Sequence, residues 1–137
     1  MKHIKMLFFA MGIIIIAAGC VITDIPLSVE LVSPANESVY NHYPRSMHLE
    51  WEAKGITGTV KYCLEIQYCW IHSTDPDNQY YFGNWNEGNY AGVVLEKTDS
   101  YHDFNFVGAQ PGRWRVRAKD ENGYCAWTEW RYFKFTV

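Results

Sequence analysis

Sulfur and imidazole are the reactive side chains to weigh first. Cysteines stand at 20, 63, 69 and 125, and histidines beyond the first residues at 42, 48, 72 and 102. Cys69 and His72 could serve as thiol nucleophile and base. Three residues apart at the end of an extended segment, they point in different directions, and no oxyanion-hole pattern accompanies them. His72 therefore reads as a lone surface histidine. The chain carries no Gly-x-Ser-x-Gly elbow, phosphate loop or His-Glu-x-x-His motif. Asp75, Asp77 and Asn78 alternate like the start of a calcium loop but lack its glycine and distant glutamate, so Asp-Pro-Asp-Asn reads as a turn. The expectation is a protein with no catalytic residue and no metal site.

The remaining chemistry is aromatic and cationic. Trp70, Tyr80, Tyr81, Phe82, Trp85 and Tyr90 crowd into one stretch. Such rings bury large area while keeping a polar tip, which suits protein or sugar contact as well as it suits a core. Gly83, Asn86 and Gly88 flank Trp85 and imply a loop tip, so Trp85 is the leading candidate for an exposed contact, with Trp70, Tyr80, Tyr81 and Tyr90 beside it. Farther on, Arg113, Arg115 and Arg117 alternate with Trp114, Val116 and Ala118, and Trp127 and Trp130 follow a turn at Asp120–Gly123.

The elements that must position these residues are strands. Period-two alternation runs through Met47, Leu49 and Trp51, through Tyr62, Leu64, Ile66 and Tyr68, and through Trp114, Val116 and Ala118. Strands are predicted over about 28–33, 47–52, 59–70, 79–85, 91–97, 100–107 and 113–119, and from 130 to 137. Turn residues separate them, and no long helical periodicity follows residue 20. For 100–107 the pattern leaves open which face is inward. The reading is an all-β sandwich of about seven strands in a single domain.

The first residues address the protein. Met-Lys-His-Ile-Lys is a short basic start, an apolar run spans Met6 to Ala18, and small residues precede Cys20. This has the form of a cleaved secretory signal, with an apolar run short for a membrane span. Ala17-Ala18-Gly19-Cys20 resembles the lipobox of bacterial lipoproteins, with alanine where leucine is usual. The resemblance implies cleavage before Cys20, a lipid such as palmitate on that cysteine, and no other cofactor. Two or three acyl chains at about 0.8 kcal/mol per buried CH₂ hold a protein stably on a membrane. Val21 in place of aspartate implies, by the same resemblance, the outer membrane or cell surface. The expected layout is a signal over 1–19, a lipidated tether over 20–27 and a domain over 28–137. Cleavage removes two of twelve basic residues against fifteen acidic ones, leaving a net charge of −5. That excludes the basic face nucleic acid requires. Three cysteines then remain in an oxidising compartment, for which one disulfide and one thiol is the simplest count.

Leu31-Val-Ser-Pro-Ala-Asn36, Leu49-Glu-Trp51, Tyr62-Cys-Leu-Glu-Ile66 and Pro111-Gly-Arg-Trp-Arg-Val-Arg-Ala118, in that order, resemble the immunoglobulin-like fibronectin type III domains of bacterial exported proteins. The resemblance covers about 28–137, with 71–90 as an elaboration. Trp127-Thr-Glu-Trp130 is similar to the Trp-Ser-x-Trp-Ser box of cytokine-receptor domains of that fold, with Arg131 in place of the last serine. There the tryptophans interleave with arginines of the preceding strand. The resemblance implies the same for Arg113, Arg115 and Arg117, as a stiffening ladder rather than a ligand face. In this fold the third strand starts at the end where the last hairpin turns. That implies a Cys63–Cys125 bridge, with Cys69 about 20 Å along at roughly 3.3 Å per residue. The function implied is a membrane-anchored, non-catalytic cell-envelope module that binds an envelope or extracellular protein or a glycan through the 70–90 aromatics. The alternative is a structural or assembly subunit using a sheet edge, and an enzyme comes last.

Overall fold

A computed structural model describes residues 24–137; Cys20 and the leader lie outside the described residues. Nine strands follow in order: β1 (Ser28–Ser33), β2 (Ser38–Tyr40), β3 (Ser46–Lys54), β4 (Lys61–Cys69), β5 (Tyr90–Lys97), β6 (Tyr101–Asn105), β7 (Pro111–Asp120), β8 (Gly123–Tyr124) and β9 (Arg131–Phe135). They make two sheets. One has the order β1-β3-β6, the other β2-β9-β7-β4-β5, with β8 hung on β7. Two short strands, β2 and β8, are additional to those the sequence pattern predicts.

Alternation decides what is buried. In β3, Met47, Leu49 and Trp51 turn inward while His48, Glu50 and Glu52 turn out. In β7, Trp114, Val116 and Ala118 are fully buried, and in β4, Tyr62, Leu64 and Ile66 face the same core. β6 resolves the strand whose inward face the pattern left open: Phe104 packs on the core with Phe106, and Tyr101, Asp103 and Asn105 face out. The sheets meet through Trp51, whose ring centroid lies 6.3 Å from that of Trp114 and 5.6 Å from that of Tyr62. Phe133 and Phe135 close one end against Phe106. Gly112 makes room there, because a Cβ would strike the Phe133 ring. Arg131 donates from its two terminal nitrogens to the Pro34 and Leu31 carbonyls at 2.8 and 2.9 Å. It thereby ties β9 to the end of β1.

The strand predicted over 79–85 does not form; that segment is a series of turns. Its backbone is captured by side chains: Asp75 Oδ1 accepts from the Asp77 amide at 3.0 Å and Asn78 Oδ1 from the Tyr80 amide at 2.8 Å. Asx turns of this kind compete with ladder hydrogen bonds. Asp-Pro-Asp-Asn is thus a turn.

Candidate functional site

Residue pairing builds the outer face of the larger sheet. Across β4 and β7, Arg115 stands opposite Glu65, Arg113 opposite Gln67 and Arg117 opposite Cys63. Arg115 holds Glu65 from both Nε and a terminal nitrogen at 2.8 Å, the only ion pair among the described residues with both partners mostly buried. Glu65 Oε1 accepts from Gln67 at 2.9 Å, and Gln67 Oε1 accepts from Arg113 Nε at 2.7 Å. These bonds fix the Arg113 and Arg115 guanidinium groups against β4.

Aromatic rings fill the spaces between the planes. Arg117 lies over Tyr124 and Trp127, Arg115 over Trp127 and Trp130, and Arg113 over Trp130, Tyr90 and Trp85, all at 4.1–5.1 Å from the ring centroids. Residues 125–130 hold their rings in place without being a strand. The Thr128 amide donates to the Val116 carbonyl at 2.9 Å, and the Thr128 hydroxyl accepts from the Val116 amide at 3.1 Å. Glu65 and Gln67 are not among the candidate site residues of the sequence, although alternation places them on the face opposite Leu64 and Ile66, which is the arginines' face.

Trp85 is not an exposed loop tip. It is half-buried, donates from Nε1 to the Phe82 carbonyl at 2.7 Å, and packs beside Tyr90, Tyr132 and the Arg113 plane. Gly83 permits this fold-back: its φ is +101°, and a Cβ there would lie 2.8 Å from the Trp85 indole nitrogen. Trp85 and Tyr90 thus extend the ladder by a rung, which glycine spacing alone does not reveal.

Two buried groups pin the 71–90 segment down. The Cys69 thiol donates to the Ile71 and Asn84 carbonyls at 3.3 and 3.2 Å. Burial pushes its pKa up, so the group stays a thiol bound to carbonyls rather than to His72. Lys134, 2% exposed, is the other pin. Its ammonium donates to the Ser73 and Tyr81 carbonyls at 2.6 and 3.0 Å and sits 3.8 Å over the Tyr81 ring. No carboxylate pairs with it among the described residues, and burial lowers its pKa. Alternation puts this lysine on the outer face between Phe133 and Phe135, and only the overlying segment buries it.

Cys63, Cys69 and Cys125 are all free, so the expected Cys63–Cys125 bridge is not formed. β7 lies between the two residues. Cys63 pairs across from Arg117 on one side of β7, while the Cys125 amide bonds the Ala118 carbonyl on the other. Two strand spacings of about 4.8 Å exceed the roughly 7 Å limit on Cα separation for a disulfide. The side chains also diverge, since Cys125 leans toward the core.

With Tyr81, Trp85 and Tyr90 engaged, Trp70 and Tyr80 are the exposed members of the candidate set, at 47% and 41%. Trp70 stands at the end of β4, with its ring 6.0 Å from Tyr68. Beside it runs β5, which is an unpaired margin of the larger sheet among the described residues, and where Val93 and Val94 are 55% and 61% exposed. From Tyr90 to Leu95 this margin has no charge and no proline. No protein-family model matches the chain, and no curated protein matches it.

Proposed function

We propose that the protein is a lipid-anchored interaction module of the bacterial cell envelope. In this reading a fibronectin type III-like sandwich is held at a membrane through Cys20 and contacts another protein along β5, without catalysing a reaction. The observation that carries it is the edge strand β5, uncharged over its first six residues from Tyr90 to Leu95, with Val93 and Val94 exposed beside Trp70. An unpaired strand with apolar side chains is a template for further pairing, and natural sheets ordinarily blunt such edges with lysine, proline or a bulge. The immunoglobulin-type reading draws support from strand order: β1-β3-β6 and β9-β7-β4 correspond to the A-B-E and G-F-C rows of that sandwich.

The edge favours a protein partner over a glycan, and with it the role of an assembly subunit. Rings that would stack on a sugar, Trp85 and Tyr90 among them, are occupied by Arg113. Trp70 and Tyr80 remain as flanking contacts. The lipid anchor has its own test. Expressed with its leader in a diderm bacterium, the protein should fractionate with membranes, and its mature mass should begin at Cys20 with acyl chains attached. Cys20→Ser should release it from the membrane or leave it uncut. A wild-type chain that is uncut or carries no lipid would end this reading.

A further inference from the structure

We propose that the first partner of β5 is β5 of a second copy, paired antiparallel about a two-fold axis through Val93. The inference rests on reading this margin as the contact surface, and it names the occupant.

The other sheet margins are protected. β1 carries a register irregularity between Leu31 and Ser33, β2 is three residues long, and β6 is short with Asp103 at its centre. By contrast, β5 pairs with β4 in unbroken register from Tyr62↔Lys97 to Cys69↔Tyr90, leaving a straight outer edge. The Trp70 amide bonds the Asn89 carbonyl and extends the ladder one step further.

Self-complementarity selects the occupant. A two-fold axis normal to a sheet keeps each face on its own side, so residues facing across the axis must share parity. Leu95 and Val93 pair with Leu64 and Ile66 and so lie on the core-side face, while Val94 pairs with Glu65 on the other. Centring the axis on Val93 sets Val93 against Val93 and Ala91 against Leu95 on the core-side face. On the outer face it sets Gly92 against Val94 and Tyr90 against Glu96. Apolar residues meet apolar ones from 91 to 95, and no like charges oppose. Centring on Val94 instead sets Lys97 against Ala91 and Glu96 against Gly92. In-register parallel pairing sets Glu96 against Glu96 and Lys97 against Lys97, which is repulsive. The favoured pairing also joins the Trp70–Val93 margins of the two copies into one surface. A strand edge alone falls short of the roughly 1,600 Å² of a standard interface. The pairing is therefore weak in bulk and is promoted by confining copies to one membrane.

The test uses the full chain with its leader, expressed in cells and run on non-reducing gels. In Val93→Cys the two new thiols face each other at the roughly 4.5–5.5 Å Cα separation of an antiparallel pair, which suits a disulfide. In Lys97→Cys the corresponding residues lie about 26 Å apart, eight residues at roughly 3.3 Å each. Val107→Cys, at an exposed position in the bend after β6, reports random collision, and the unmodified chain reports its own cysteines. The expected result is a disulfide dimer at least tenfold more abundant for Val93→Cys than for the other three, with the melting temperature unchanged under reducing conditions. Equal dimer at 93, 97 and 107, or none at 93 with the fold intact, overturns the pairing. Bridging of residue 93 to a different protein overturns the second copy as occupant and leaves the contact margin standing. Photocrosslinking from Val94, which needs no partner cysteine, reads the margin separately.

Discussion

Arg113→Ala removes the guanidinium shared by the most rings, and its cost can be worked out from the contacts. The Arg113 plane lies 4.1 Å from the Trp130 centroid, 4.3 Å from Trp85 and 5.1 Å from Tyr90, and its Nε bonds Gln67 at 2.7 Å. Cation–π contacts at partly exposed sites contribute about 0.5–1 kcal/mol each. A side-chain hydrogen bond adds about 1 kcal/mol. The gross sum is about 2.5–4 kcal/mol; Trp130 retains Arg115 over its ring, so the expected loss is about 2–3 kcal/mol. For a domain of this size that lowers the melting temperature by roughly 10 °C. Urea unfolding followed by tryptophan fluorescence gives the free energy, and near-UV circular dichroism reports whether Trp85 and Trp130 lose their fixed environment. Arg113→Lys is the control. It keeps the charge but loses the flat stacking surface and the Nε donor, so it should recover less than half of the loss. A double-mutant cycle with Trp85→Leu should give a coupling of about 1 kcal/mol. If Arg113→Ala costs under about 0.5 kcal/mol, or lysine restores full stability, the stacked geometry does not hold the 71–90 segment and the reasoning fails.

Lys134→Met should cost about 2 kcal/mol, because it orphans the Ser73 and Tyr81 carbonyls while relieving a buried charge. Amide exchange should accelerate selectively at Ser73 and Gly83, which bond the Tyr80 carbonyl, and stay slow in β3; a uniform change would show that the lysine is no pin. His102 is expected to make stability fall at mildly acid pH. Burial, aided by Lys97 and opposed by Asp103, sets its folded pKa below the ordinary 6.5. In that window the unfolded chain binds more protons, so its contribution is present above pH 6.5 and is lost as pH falls through the folded value. Urea midpoints at pH 7.5 and 5 should therefore differ less in His102→Phe than in the wild type, and an equal difference would refute the assignment.

What could be read from the sequence is what period-two alternation controls. Met47-Leu49-Trp51 and Trp114-Val116-Ala118 announce their buried faces, and the arginines interleaved with the second set must then share the opposite face. Trp127 and Trp130 could be assigned to those arginines only through a family resemblance, because residues 125–130 form no strand. The course of 71–90 was hidden for a different reason. It depends on a thiol at 69 and an ammonium at 134, far apart in sequence, and neither residue type announces such a role. Trp85 illustrates the ambiguity: glycines around a tryptophan are as compatible with a fold-back as with a loop tip. The Cys63–Cys125 pairing failed on strand order, an obstacle the family resemblance already carried, since in that fold another strand lies between the third and the last and the bridge would have to reach across it. The β5 edge was likewise silent, because Ala-Gly-Val-Val-Leu has no alternation to mark an exposed face.

The proposed function requires β5 to be the surface through which the anchored protein meets another. A photoreactive residue placed at Val94 in the lipidated chain, irradiated in cells, tests it directly. A second probe at Glu87, on the exposed part of the 71–90 segment, gives the comparison. The predicted result is a discrete protein adduct from 94, whether with a second copy or another envelope protein, and none from 87. An adduct from 87 with none from 94 would return the contact surface to the aromatic segment and contradict the account.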